Sequence, residues 1–138
     1  MFRKYVSMDR LRRMLRLAAV LTAIGLPLGL FYGGAQPVAV NLIAAPWDKL
    51  AHLAVFATLA ASIGYASGLR GARRWWLAFG CALAVGVVDE WRQAWLPGRA
   101  AGWDDLAADA LGSALGATAL RWAVRVEQYL EAWLLGRH

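Results

Sequence analysis

The stretch LAAVLTAIGLPLGLFYGG, residues 17–34, decides the fold, because no charged residue interrupts the chain between Arg16 and Asp48. A run of about 18 predominantly apolar residues is long enough to cross the roughly 30 Å hydrocarbon core of a bilayer as a helix. We therefore predict a first transmembrane helix from Leu17 to about Gly34. Residues 35–47 then form a short external connection.

Three further uncharged or nearly uncharged runs follow, at 50–69, 75–88 and 106–120. The run at 75–88 has only 14 residues, so it must gain length from its flanking arginines and tryptophans by snorkelling or by local thinning of the bilayer. Residues 122–135 are amphipathic and are expected to lie at the membrane surface. Continuous apolar runs favour helices over alternating barrel strands. The prediction is an all-α, integral membrane four-helix bundle, with one domain over 1–138 and its motif-bearing core at 47–120.

Composition excludes several other classes of protein. Of the 138 residues, 60% are hydrophobic and only 17% are charged, which does not suit a soluble domain or a disordered chain. Cys81 is the only cysteine, so an intrachain disulfide is excluded. The net charge of +6 does not indicate nucleic-acid binding, because the basic residues at 10–16 adjoin the first span, where they fix topology and contact anionic lipid headgroups.

The distribution of Lys and Arg predicts the orientation in the membrane. One side of the predicted spans carries 12 of the 15 basic residues, and the other carries Lys49, Arg92 and Arg99. By the positive-inside rule both termini are cytoplasmic. The tryptophans form two groups, which is typical of aromatic belts: Trp47, Trp91, Trp95 and Trp103 on the outer side, and Trp75, Trp76, Trp122 and Trp133 on the inner side.

The N-terminal segment also has features of a secretory signal, since it combines basic residues, an apolar run and the small residues Gly33 and Ala35. The apolar run is long for the core of a signal peptide. We therefore expect an uncleaved membrane anchor.

Three pairs of glycines have a spacing that lets helix backbones approach closely: Gly25 and Gly29, Gly64 and Gly68, and Gly112 and Gly116. We expect them to pack helices within one molecule, with dimerisation as the alternative. The oligomeric state remains open. Pro27 is expected to kink the first helix.

Polar residues at three places converge on the outer end of this topology. Asp48, His52 and Phe56 are four residues apart and share a helix face, with Lys49 beside them. Glu90 and Gln93 follow the third run and can point the same way.

The third group contains Asp105 and Asp109, on the helix face that continues through Gly112 and Gly116, so Asp109 should point inward. An ionisable group at membrane depth costs at least about 2.5–3.5 kcal/mol, which makes a functional role the default hypothesis. Arg99 is delivered to the same end by the loop after Pro97 and Gly98.

This convergence suggests a site for a phosphorylated or glycosylated lipid. We expect His52, Glu90 and Asp105 to be the catalytic residues if the site is an enzyme, with His52 held by Asp48 or Asp105 as general acid or base. Arg99 would grip phosphate in bidentate fashion and Lys49 would add a point charge. The full substrate-binding set is Asp48, Lys49, Gln93, Arg99 and Asp109.

Other interpretations of the same residues remain open. A divalent cation could be held by His52, Glu90, Asp105 and Asp109. The cluster could instead be a hydrogen-bonded network that fixes the register of the helices, or a non-catalytic surface that docks another protein or a ligand. A transporter or channel is less favoured, because no inverted repeat is present and the charges stop at one end.

Three motifs resemble those of the VanZ-like membrane proteins: DKLAHLAVF at 48–56, DEWRQAWLPGR at 89–99 and DLAADALG at 105–112. The resemblance covers about 47–120. It implies a bacterial inner-membrane protein of the cell envelope, so the expected lipid is an envelope lipid or precursor and the expected docking partner is another envelope protein or an antibiotic-like ligand. Its best-known member is linked to lowered sensitivity to teicoplanin. Two positions depart from the family pattern, since Asp109 stands where many relatives have Asn and Phe56 where Tyr is frequent.

Overall fold

A computed structural model describes residues 2–36, 38, 42–98 and 101–134, with side chains from residue 8 onward except at 131 and 134. Within these residues there are four α-helices and no strands. They are α1 (Phe2–Leu28), α2 (Trp47–Ala66), α3 (Gly71–Gln93) and α4 (Trp103–Leu134). The predicted all-helical class is confirmed.

The first helix changes character after its proline. Pro27 lies inside α1, and the α-helix gives way after Leu28 to a π-helical turn, Gly29–Gly33. Proline has no N–H to donate and its ring crowds the preceding turn, and π-turns often occur where a helix is interrupted. The structure thus shows a change of helix type that begins two residues after Pro27, and the kink expected at Pro27 stays a prediction.

The fourth helix is longer than the sequence suggested. We expected a span at 106–120 followed by a separate amphipathic stretch at 122–135, but α4 runs without a break from Trp103 to Leu134. No proline or glycine follows Gly116 within the helix, so nothing in the sequence ends it at Leu120. The amphipathic residues as far as Leu134 extend the same helix, and Leu135 lies outside the described residues.

Contacts at both ends show that successive helices run in opposite directions. Arg12 of α1 pairs with Glu127 of α4 at 3.3 Å, and Lys49 at the start of α2 pairs with Asp105 at the start of α4. Arg92 at the end of α3 reaches the carbonyl of Phe31 at 2.7 Å. We call the end that contains Lys49, Phe31 and Arg92 the His52 end, and the opposite end the arginine end.

α2 lies at the centre of the fold, packed against α1, α3 and α4. Small side chains dominate the buried core, which contains Phe56, Leu59, Ala60, Ala78, Ala82 and Ala117. A Cβ added at Gly112 would overlap the carbonyl oxygen of Leu53, and one at Gly116 would overlap that of Ala57. Here the glycines allow the backbones of α2 and α4 to touch, as predicted.

The other glycine pairs have different environments. Gly64 packs in the core against Leu120 and Ala78, but Gly68 lies in the α2–α3 turn with a positive φ of 67°. A Cβ at Gly25 or Gly29 would meet nothing within 4 Å. The prediction of close helix packing is therefore wrong for Gly25 and Gly29, because no atom of another helix lies within 4 Å of a Cβ built at either position.

Two helical segments are long and apolar enough to cross a membrane, Met8–Gly33 and Trp47–Ala66. The other two helices carry more charge, since α3 contains only the 14-residue uncharged run and α4 carries three aspartates in its first two turns. Trp47, Trp91 and Trp103 lie at the ends of their helices on the His52 side, and Trp75 and Trp76 lie at the start of α3 on the arginine side, whereas Trp122 lies within α4. The four crossings and the cytoplasmic termini remain proposals.

Candidate functional site

The first part of the site is a group of charges that ties α2 to α4. The ammonium of Lys49 lies 3.0 Å from Asp48, 2.9 Å from Asp104 and in direct contact with Asp105. Asp48 also lies in the first turn of α2 and accepts the backbone N–H of Lys49 at 2.9 Å, a favourable place for an anion. The hydrogen bond from Lys49 holds the pKa of the Asp104 carboxyl below its usual value.

Next to this group, His52 of α2 pairs with Asp109 of α4. The imidazole Nδ1 lies 2.8 Å from Asp109 Oδ1, and the ring is nearly parallel to that of Phe56, with 6.3 Å between centroids. Asp109 has no solvent exposure, as its helix face predicted. The expectation that Asp48 or Asp105 holds His52 is wrong, because Asp48 and Asp105 are paired with Lys49 while Asp109 directly faces the ring.

Glu90 of α3 completes a cluster drawn from three helices. It is only 7% exposed and accepts the backbone N–H of Gly102 through Oε2 at 2.9 Å. One ligating atom each from His52, Glu90 and Asp109 can be chosen so that all three lie within 4.8 Å of one another. Three buried side-chain atoms have no hydrogen-bond partner among the described residues: Glu90 Oε1, Asp109 Oδ2 and Ser113 Oγ.

Sequence reasoning placed Gln93 beside Glu90, but the structure pairs it with a different acid. Gln93 Nε2 donates to Asp89 Oδ2 at 2.9 Å, one helical turn away. Asp89 is 3% exposed and was not among the predicted site residues. The motif at 89–99 pointed to Asp89, because it begins with this residue. Which of the adjacent acids Asp89 and Glu90 pairs with Gln93 depends on the rotation of α3, which the sequence does not give.

A second residue missed by sequence reasoning is Arg92. Its guanidinium lies 3.8 Å from Asp89, donates to the carbonyl of Phe31 and sits 4.9 Å from the centre of the Phe31 ring. Arg92 therefore joins α3 to the π-turn at the His52 end. No local pattern could have indicated this contact, because Phe31 and Arg92 are 61 positions apart.

A cavity of about 270 Å³ lies between α1, α2 and α3 at this end. His52, Asp89 and Gln93 form its polar side, while Gly25, Leu26 and Gly29 contribute to its apolar side. Gly25 and Gly29 thus line a cavity instead of a helix contact. At about 270 Å³ the cavity is slightly smaller than most small-molecule sites, but it shares their mostly apolar lining with a few polar groups.

The structure brings most of the predicted site residues to one end of the molecule. His52, Glu90 and Asp109 form the buried cluster, Asp48, Lys49 and Asp105 form the adjoining ion pairs, and Gln93 lines the cavity. Arg99, the predicted phosphate ligand, lies outside the described residues.

Comparison with known families places the chain in one family of proteins. Residues 7–124 match the VanZ/LLP1 family, which includes all three motifs and the whole site as described. The chain therefore belongs to the VanZ/LLP1 family. No curated protein and no solved structure matches it.

Proposed function

We propose that this protein binds a lipid-linked cell-envelope precursor at the His52 end. The observation that supports the proposal is the lining of the cavity, which is polar on one side and apolar on the other. The headgroup meets His52, Asp89 and Gln93, and the lipid chain lies against the glycine-containing surface of α1.

The polar side suits a ligand that is rich in hydroxyl and amide groups. Carboxylates accept hydrogen bonds, and a glutamine amide both donates and accepts them. Asp89 and Gln93 already form a hydrogen bond with each other. A sugar hydroxyl could bond to the donor and acceptor atoms of these two side chains that this hydrogen bond does not use. A glycosylated headgroup therefore fits the described residues without an additional cation at this end.

A phosphate group requires a compensating cation at this end. Six carboxylates lie there, at Asp48, Asp89, Glu90, Asp104, Asp105 and Asp109. Among the described residues the fixed cations near them are Lys49 and Arg92, and Lys49 already contacts three of the acids. Arg99 or a bound metal ion would supply the missing positive charge.

The proposed location is the bacterial inner membrane, with four crossings and both chain termini in the cytoplasm. The alternating helix directions support an even number of crossings, and the concentration of arginines at one end supports the orientation. The site would then open toward the outer leaflet, where lipid-linked precursors are displayed.

Native mass spectrometry of gently extracted protein tests the lipid proposal. We expect the wild type to retain a lipid-linked ligand and a Gly25→Leu/Gly29→Leu variant to lose it, since added side chains occupy the cavity without meeting a neighbour within 4 Å of either Cβ. Gly80→Leu is the matched control, because Gly80 also has open space around its Cβ and lies away from the cavity. Equal retention by both variants would contradict the proposal.

Variants of the titrating residues His52 and Glu90 distinguish an enzyme from a protein that only binds its ligand. In cells, His52→Ala and Glu90→Gln proteins that still insert should lose their effect on teicoplanin sensitivity, or on another envelope phenotype of the parent, if the site is an enzyme. If both keep the effect, and the bound lipid is unchanged, the site is a non-catalytic docking surface.

A further inference from the structure

We propose that His52, Glu90 and Asp109 bind one divalent transition-metal ion, of the Zn²⁺ or Mn²⁺ type. Nothing in the family assignment indicates a metal. One part of this proposal rests on the proposed function: the bound ion would allow an acidic site to hold a phosphorylated headgroup. Metal binding itself stands on the geometry of these three residues.

The three residues converge from different helices, which makes them a site that exists only in the folded chain. α2 supplies His52, α3 supplies Glu90 and α4 supplies Asp109, and their ligating atoms lie within 4.8 Å of one another. Metal–ligand bonds of about 2.0–2.2 Å would bring these atoms closer together. The side chains are therefore expected to contract around the ion.

The unpartnered oxygens supply a second, independent observation. Glu90 is 7% exposed and Asp109 is fully buried, yet Glu90 Oε1 and Asp109 Oδ2 accept no hydrogen bond in the described part of the chain. Buried carboxylate oxygens are normally satisfied by a donor or a cation. A metal ion at the cluster would satisfy both oxygens at once.

The donor set selects the kind of metal. Imidazole suits zinc, iron, nickel and copper, and carboxylates combined with histidine also hold Mn²⁺, whereas Mg²⁺ and Ca²⁺ prefer sites made only of oxygen. One nitrogen and two carboxylates leave coordination positions open, which is typical of catalytic zinc sites and not of structural ones. An open position could accept a phosphate oxygen or a water molecule.

Metal content measured by plasma mass spectrometry tests this site directly. Purified protein is stripped with a chelator, exposed in turn to Zn²⁺, Mn²⁺ and Mg²⁺, and washed. We expect about one equivalent of Zn²⁺ or Mn²⁺ per chain, retained in preference to Mg²⁺, with a rise in melting temperature. Glu90→Gln and Asp109→Asn should weaken binding at least about tenfold.

Asp104→Asn is the matched control, because Asp104 is an exposed acid at the same end and lies outside the cluster. It should bind metal as the wild type does. Failure of the wild type to bind any of the three ions, or equal weakening by Asp104→Asn and Glu90→Gln, would overturn the metal site. Lipid retention in the metal-free protein is scored separately, so loss of the metal proposal leaves the lipid proposal intact.

A different observation at the arginine end carries a second proposal. We infer that two adjoining cavities there bind an anionic lipid headgroup that carries two phosphates. The first cavity, of about 440 Å³, is lined by Arg12, Arg13, Arg16, Arg70 and Arg74, with Asp9 as its acid. The second, of about 240 Å³, shares Arg70 and Arg74 and adds Arg121 and Arg125.

The composition of these cavities favours phosphate over other anions. Arginine recognises phosphate through two parallel hydrogen bonds, and basic pockets between membrane helices bind polyanionic lipid headgroups. The cavities lie next to the apolar start of the first span and beside Trp75, at the level where headgroups meet the hydrocarbon core. Two cavities with shared arginines fit two phosphates on one molecule.

Lipid binding to detergent-purified protein tests the inference, with cardiolipin as the two-phosphate probe and phosphatidylglycerol, phosphatidylcholine and inorganic pyrophosphate as comparisons. We expect cardiolipin to bind most tightly, and Arg70→Gln to weaken it about tenfold through loss of a charged hydrogen bond. Arg73→Gln is the control, because Arg73 is a close neighbour in α3 that lines neither cavity. Equal binding of phosphatidylcholine, pyrophosphate as tight as cardiolipin, or equal effects of the two variants would overturn it.

Discussion

Asp109 is the residue that connects the polar cluster to the helix core. It is fully buried, faces His52 at 2.8 Å and lies against Gly86, where an added Cβ would meet its carboxylate. Because it is buried and contacts both α2 and α3, we expect its side chain to affect both stability and the site.

We predict that Asp109→Ala lowers the free energy of unfolding of metal-free protein by about 1–3 kcal/mol, because His52 is left without its buried partner. Asp109→Asn should cost less, since the amide oxygen can still accept a hydrogen bond from the imidazole. Thermal unfolding in detergent measures both. Equal stability of Asp109→Ala and wild type would show that the pair contributes nothing.

Asp104 gives a prediction for pH dependence. Its pKa is lowered by the hydrogen bond from Lys49, so its stabilising effect is present above the unfolded-state value of 3.8 and disappears as the pH falls through the lower folded-state value. Asp104→Asn should therefore melt below wild type at pH 7 and close to it near pH 2. A melting difference that is unchanged across this range would contradict the assignment.

At the residue scale, the sequence predicted which segments contribute polar groups but not which groups pair. The four-residue spacing of Asp105 and Asp109 correctly placed Asp109 inward, since this depends only on the period of one helix. The pairing of His52 with Asp109 depends on the relative rotation of α2 and α4, which no local pattern contains. For the same reason Asp89 and the Arg92–Phe31 contact were missed.

Among the helices, the same glycine spacing serves two purposes. Gly112 and Gly116 allow α4 to touch the backbone of α2, whereas Gly25 and Gly29 face open space along the cavity. The motif alone cannot distinguish these uses, because the difference lies in whether another helix approaches. Likewise, the sequence showed no boundary within α4, and the expected break after Leu120 followed from hydropathy and not from a helix-ending signal.

This difference predicts opposite effects of adding one methyl group. Gly116→Ala should lower the free energy of unfolding by about 1–3 kcal/mol, because its Cβ overlaps the backbone of Ala57. Gly80→Ala should raise it by up to about 1 kcal/mol, since an alanine fits the helix better where space is open. Thermal unfolding of the two variants side by side measures the contrast, and equal changes would contradict the close α2–α4 approach.

At the scale of the whole molecule, the alternating helix directions place two kinds of chemistry at opposite ends. Six acids and His52 gather at the His52 end, and seven arginines line the cavities at the arginine end. Charge counting along the sequence predicted this separation, because acids are concentrated where α2 and α4 begin and where α3 ends, and arginines are concentrated near the opposite ends of the helices. The cavities themselves could not be predicted, since they depend on how closely the helices pack.

Cysteine labelling of intact cells tests the proposed orientation. In a Cys81→Ala background, we predict that Gly98→Cys reacts with a membrane-impermeant maleimide from outside, and that Ser67→Cys reacts only after the membrane is opened. Gly98 follows α3 at the His52 end, and Ser67 follows α2 at the arginine end. Labelling of both positions from the same side would contradict the proposed crossings.

An experimental structure of the protein with its native lipid retained tests the central claim most directly. The account predicts density for a headgroup against His52, Asp89 and Gln93, continuing as a lipid chain along Gly25 and Gly29. A structure in which this cavity is empty while the native lipid binds elsewhere, or in which His52 and Asp109 face different surfaces, would contradict it.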